Sequence, residues 1–169
     1  MKVEVYETHL RQDRVWARQQ IDSFFMRGGP VYKTLDDLAH KLDEAGIPYA
    51  LIGALALGEH GLYRMTVDVD LLVAKEGLAE FRTRYEGLGY IPAFPGATKR
   101  FRSTDTGVKI DFVTTGECPG DGKPKPVVFP DPAVASIEMD GPRVITLERF
   151  VELKLASPSA STTLPIFKN

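Results

Sequence analysis

The sequence has one cysteine, Cys118, in 169 residues. No intrachain disulfide framework can form, and a reducing cytoplasm is the expected setting for such a chain. Neither sign of charge is in surplus: 21 Lys and Arg face 23 Asp and Glu, for a formal net charge of −2. That balance excludes a polycation that coats nucleic acid, whose affinity rests on a large phosphate-neutralising excess. The three histidines, His9, His40 and His60, fall in no zinc-ligand spacing. Long apolar runs are missing as well. The longest, Tyr49 to Leu57 with Gly53 inside it, is far short of the ~20 residues a membrane helix needs. The opening Met-Lys-Val-Glu-Val-Tyr-Glu does not lead from a basic region into an apolar one, as a secretory signal does. The chain contains no internal repeat, and the expectation is a cytoplasmic protein with no membrane partner.

What is present suits a globular chain: 43% hydrophobic and 26% charged residues, with a length that can bury roughly two-thirds of the unfolded surface in one domain. Apolar spacing predicts a helix from about Thr8 to Met26, broken by Gly28, Gly29 and Pro30, and a second from Thr34 to Ala45, capped by Thr34 and carrying Leu35, Leu38 and Leu42. Tyr49-Ala50-Leu51-Ile52 reads as a buried strand ending at Gly53, with a short helix after it. Val67 to Val73 alternates as a strand, and Glu76 to Leu88 returns to helical spacing. Strand, helix, strand, helix is an α/β signature. Short β-branched stretches follow at Lys99–Ser103, Val108–Thr114, Val127–Phe129, Val134–Glu138 and Arg143–Ile145. Residues 118–126 are rich in Gly and Pro and read as a mobile loop. A last helix is expected from Leu147 to Ala156. The expected organisation is one domain over residues 1–156, with N-terminal helices in 1–46 and the core motifs in 48–114, and a flexible tail over 157–169.

The sharpest feature is Val67-Asp68-Val69-Asp70-Leu71-Leu72. Residues two apart on a strand project to one face, so Asp68 and Asp70 point together while Val67, Val69 and Leu71 face the other way. Twelve Asp in 169 residues give about 0.8 Asp-x-Asp pairs by chance, so the spacing alone is weak. Its weight comes from an apolar strand, where a stray Asp is unfavourable. Two like charges at ~4 Å repel by about 4 kcal/mol at an effective dielectric of ~20, which calls for a proton, a cationic neighbour or a metal. Hard carboxylate oxygens in that arrangement suit Mg²⁺ or Mn²⁺.

Other candidates surround this pair. Gly53 and Ala54 end a buried strand and open a helix, either as a phosphate-receiving turn of backbone N–H groups or as an ordinary turn. Asp111, in Val108-Lys109-Ile110-Asp111-Phe112-Val113, shares a face with Lys109, either as a third metal-site carboxylate and general base or as a solvated pair. Arg64 and Thr66 lie between the glycine and the aspartates; Arg64 either contacts phosphate or is a loop arginine pairing with Glu59 or solvent. Arg100 and Arg102 share a strand face suited to a triphosphate or an RNA acceptor, or else belong to a solvated hairpin. Lys154 is a helical lysine, and Cys118 has no evident base beside it.

The order Gly53-Ala54, Asp68-x-Asp70 and a later strand Asp111 resembles the nucleotidyltransferase superfamily related to DNA polymerase β. Leu51-Ile52-Gly53-Ala54-Leu55-Ala56-Leu57, His60-Gly61 and Arg64-x-Thr66-x-Asp68-x-Asp70-Leu71-Leu72 are more closely similar to small bacterial nucleotidyltransferases that include abortive-infection toxins of toxin–antitoxin pairs. The resemblance covers about half the chain, from Pro48 to Asp111, with the Glu152-Leu153-Lys154 helix beside it. It implies a mixed β-sheet flanked by helices, an α/β (α+β) fold. It implies that Asp68 and Asp70 bind divalent ions bridging a nucleoside triphosphate, ATP included, and that Asp111 is ligand and base. Gly53 then lies under the triphosphate and Lys154 contacts it. The implied reaction is in-line attack of a metal-activated hydroxyl on the α-phosphorus, with pyrophosphate leaving. The acceptor would be a tRNA, a protein or a small hydroxylated molecule, and a toxin of this type would have a cognate antitoxin.

Two positions depart from the family pattern. Ala54 stands where a Gly or Ser is usual, and the chain passes after Leu155 into a Ser/Thr/Pro stretch rather than a further charged helix. These departures motivate a catalytically inactive nucleotide-binding module as an alternative, alongside an antibiotic-modifying nucleotidyltransferase.

Overall fold

The computed structural model describes residues 3–157; the stretch expected as a flexible tail lies, apart from Ser157, outside the described residues. The first helical stretch is two helices, α1 (Tyr6–Gln12) and α2 (Arg14–Phe25). The break is at Asp13, whose carboxylate accepts from Val15 N at 3.0 Å and Trp16 N at 2.9 Å and so caps α2. The apolar period runs through this break and hides it from a sequence reading. Helix α3 (Gly29–Glu44) starts earlier than expected. Pro30 sits in its first turn, where the missing N–H costs nothing, rather than before it. Thr34 is therefore interior and not a cap; its hydroxyl donates to Pro30 O at 2.8 Å.

The core follows as β1 (Tyr49–Ile52), α4 (Gly53–Glu59), β2 (Asp68–Val73), α5 (Lys75–Tyr85), β3 (Tyr90–Pro92), β4 (Arg100–Ser103) and β5 (Lys109–Thr114). Then come α6 (Pro132–Ala135), β6 (Ser136–Glu138), β7 (Arg143–Ile145) and α7 (Leu147–Leu155), the last capped by Thr146 accepting from Arg149 N. Two strand expectations change. Val134 and Ala135 belong to α6, capped by Asp131, so the strand begins at Ser136. Residues 127–129 join no strand and are held by Gly116 N to Phe129 O and Phe129 N to Glu117 O bonds at 2.8 and 2.9 Å. Strand β3 has no counterpart in the sequence reading; it is three residues long and contains a proline.

Seven strands form one mixed sheet in the order β3-β4-β5-β2-β1-β7-β6. The β2–β5 and β1–β7 pairs are parallel and the rest antiparallel. Register decides the two faces. Leu51, Leu71 and Phe112 lie in one cross-strand row and Val69, Ile110 and Phe101 in the next on the same face, all of them buried. Phe81 of α5 packs on this face, with ring centroids 4.8 Å from Phe112 and 5.5 Å from Phe101. Leu35, Leu38 and Leu42 give α3 its buried stripe. The opposite face of the same strands carries Asp68, Asp70, Lys109, Asp111, Arg100 and Arg102, since each is one residue out of phase with the apolar row. No helix among the described residues is long and apolar enough to cross a membrane.

Candidate active site

The sheet register, rather than sequence proximity, assembles the polar cluster. Asp70 lies opposite Asp111 in the parallel β2–β5 pair and opposite Ile52 in the β1–β2 pair. Asp68 lies opposite Lys109, and on the next strand Arg100 pairs with Asp111 and Arg102 with Lys109. The carboxylates of Asp68, Asp70 and Asp111 thereby converge, offering ligand oxygens all within 4.8 Å of one another.

Three observations test whether this cluster suits a divalent cation. The donor set is three carboxylates, hard oxygen ligands of the kind Mg²⁺ and Mn²⁺ take. Asp111 Oδ1 is buried without a hydrogen-bond partner, with Arg100 Nε 3.5 Å from it and Lys109 Nζ 2.9 Å from the other oxygen of the carboxylate. Such an orphaned acceptor is costly unless something fills it. Finally, the Asp70 carboxyl is pushed up to about 7, first by burial and then by the charges of Asp68 and Asp111, against the opposing pull of Lys109 and Lys154. Negative charge at Asp70 is thus only partly offset by its cationic neighbours, and the residues fit the group.

Gly53 has a reason the sequence did not reveal. Its φ is +70°, a left-handed conformation that favours glycine. A Cβ there would run into the Asp70 carboxylate oxygen and lie 3.0 Å from Asp70 Cγ and 3.1 Å from its Cβ. The turn from β1 into α4 is therefore shaped around Asp70. Ala54 occupies the first turn of α4 and is half-buried. His60, at the end of α4, donates from Nε2 to Ile145 O at 2.7 Å, fixing this helix to β7.

The remaining predicted residues are distributed unevenly. Thr66 donates to Asp68 Oδ1 at 2.5 Å and orients that carboxylate. Arg64 is exposed on the loop before it, and Glu59 is taken by Arg27 through two contacts of 2.9 Å. Arg100 reaches the cluster at Asp111. Arg102 does not: its guanidinium forms a fork on Glu7, with both N–O distances 3.0 Å, and donates to Gly107 O at 2.6 Å. Lys154 on α7 reaches a cleft of about 210 Å³ that also includes Ile52, Gly53, Asp70, Phe129 and Phe150. Cys118 is half-buried and uncombined.

In the sequence Lys109 stands out only as a neighbour of Asp111. Its Nζ lies 2.9 Å from Asp111 Oδ2 and 3.6 Å from Asp68 Oδ2. Burial pulls its pKa down, but the hydrogen bond to Asp111 and the surrounding carboxylates more than offset this, and the net shift is upward. The available signal was parity: Lys109 and Asp111 share a face, so whatever aligns Asp111 with Asp70 aligns Lys109 with Asp68.

No family model matches the chain, and no curated protein matches it. Solved structures do. A provisionally assigned nucleotidyltransferase from Thermotoga maritima superposes with a TM-score of 0.51 at 17% identity, covering 73% of this chain and 81% of that one. ANT(2″)-Ia, solved in complex with adenylyl-2″-tobramycin, gives a TM-score of 0.43 at 18% identity over 70% of this chain and 72% of that one. The mixed α/β architecture is that of nucleotidyltransferase-like folds.

Proposed function

We propose that the protein is a metal-dependent nucleotidyltransferase that moves a nucleoside monophosphate from a nucleoside triphosphate to a hydroxyl acceptor. The observation that carries this reading is the convergence of Asp68, Asp70 and Asp111 beside Gly53 on a nucleotidyltransferase-like fold. A divalent cation held by these carboxylates, Mg²⁺ or Mn²⁺, supplies charge stabilisation for the in-line displacement and lowers the pKa of the attacking hydroxyl. Asp68 and Asp70 are assigned as ligands and Asp111 as ligand and proton acceptor. Thr66 holds Asp68 in position. Arg100, which reaches the cluster at Asp111, and Lys154, which reaches the adjoining cleft, are assigned to the phosphates, with the Gly53–Ala54 turn beside them. Arg64, exposed on the loop before Thr66, is assigned to the triphosphate. Arg102, engaged by Glu7, is left out of this assignment.

The finer reading is an abortive-infection-type toxin acting in the cytoplasm on ATP or another triphosphate. It rests on the resemblance of residues 51–72, and it extends the proposal to a tRNA, protein or small-molecule acceptor and to a cognate antitoxin.

The test is pyrophosphate release and α-phosphate label transfer from each of the four triphosphates, with Mg²⁺ or Mn²⁺ and a cell extract as acceptor source. Metal-dependent transfer that Asp70→Asn abolishes is expected. Triphosphate binding without transfer in any combination would favour the inactive binding module instead.

A further inference from the structure

Lys109 stands in the cluster without a part in the chemistry proposed above. It lies two residues before Asp111 on β5 and directly across from Asp68 on β2, so all three side chains leave the same face of the sheet. Its ammonium touches Asp111 at 2.9 Å and approaches Asp68 at 3.6 Å, bridging the two. The side chain is only 32% exposed, so this is a sheltered contact rather than a solvated surface pair. A divalent ion shared by Asp68 and Asp111 would compete for the same carboxylate lone pairs, and an ammonium next to such an ion would repel it. The two cations cannot both hold those oxygens at full strength. A neighbouring anion lies within electrostatic reach of Lys109: its charge is felt by Glu7, which α1 presents to Arg102.

We propose that Lys109 is the built-in counter-cation of the carboxylate cluster, holding Asp68 and Asp111 together in the metal-free protein and giving way when a divalent cation enters. Lys109 thereby sets the metal concentration at which the site fills. It is a positioning residue that gates metal entry. The inference rests on the reading of the cluster as a divalent-cation site, and the two can fail separately.

The experiment is a Mn²⁺ titration without nucleotide, followed by electron paramagnetic resonance of the free ion, on the full chain and on its Lys109→Met and Lys109→Gln variants. Unfolding midpoints are measured in parallel with and without Mn²⁺. Both variants are expected to bind Mn²⁺ about tenfold tighter or more, the scale of one charge-assisted hydrogen bond that no longer has to be broken. Their metal-free midpoints are expected to fall and to recover in saturating Mn²⁺. A variant that folds only with Mn²⁺ present supports the same conclusion, as does binding by the variants when the parent binds none. If the parent binds Mn²⁺ and the variants bind it no tighter, Lys109 is not the counter-cation, although the metal site stands. If neither parent nor variant binds Mn²⁺, both readings fall.

Discussion

Asp70 concentrates the electrostatic problem of the site in one carboxyl. In the metal-free protein its pKa of about 7 stands above the ordinary 3.8, because burial and two neighbouring carboxylates disfavour its charge. The folded state therefore binds the proton more tightly than the unfolded chain does. This group's contribution to stability is greatest below pH 4 and is lost as the pH rises to about 7, by as much as about 4 kcal/mol over three pKa units. Chemical denaturation across that range should show the decline, and Asp70→Asn should remove it. Metal binding works in the opposite direction, since it requires the ionised form: the stabilisation gained from Mn²⁺ should grow from pH 5 to pH 7.5. Gly53 gives a second residue-scale prediction. Gly53→Ala forces a side chain into a left-handed turn and against the Asp70 carboxylate, costing about 1–2 kcal/mol from backbone conformation alone. Unfolding curves should register that loss, and Mn²⁺ affinity should fall with it because Asp70 is displaced.

The elements explain why some of this was legible in the sequence and some was not. Alternation in residues 67–73 and 108–113 put the three aspartates on strand faces, because a strand's two-residue period is a local property. Which strands are neighbours is not local. That β2 pairs with β5 in a register placing Asp70 opposite Asp111 is settled by the whole sheet, so the role of Lys109 and the contact between Gly53 and Asp70 could not be read from spacing. Arg102 shows the converse. Its parity with Arg100 was correct, yet α1 returns Glu7 to it from 95 residues away, and a local reading holds no trace of that partner. The Glu7–Arg102 fork is expected to be a fastening of α1 to β4. Glu7→Gln should cost about 1–3 kcal/mol by denaturation, the range for charge-assisted hydrogen bonds in a sheltered setting, while leaving Mn²⁺ affinity within about threefold, as one weakened long-range charge term implies. A large change in metal affinity would place Glu7 in the site itself.

At the scale of the molecule, one sheet face serves stability and the other carries chemistry. The apolar rows Phe101–Ile110–Val69 and Phe112–Leu71–Leu51 are buried, which fixes the register. That register in turn forces carboxylates, lysine and arginine into one cluster on the reverse face. The near-neutral whole, 21 cationic against 23 acidic side chains, thus conceals a local arrangement of three carboxylates facing two cations, Lys109 and Arg100. The most direct measurement of that arrangement is anomalous diffraction from crystals grown with Mn²⁺ and a triphosphate analogue that cannot be cleaved. The expected result is a manganese peak at coordinating distance from Asp68, Asp70 and Asp111, with the analogue's phosphates on the same peak and the Lys109 ammonium moved off Asp68. A triphosphate bound elsewhere, or a cluster still bridged by Lys109 with no manganese at saturating concentration, would contradict it.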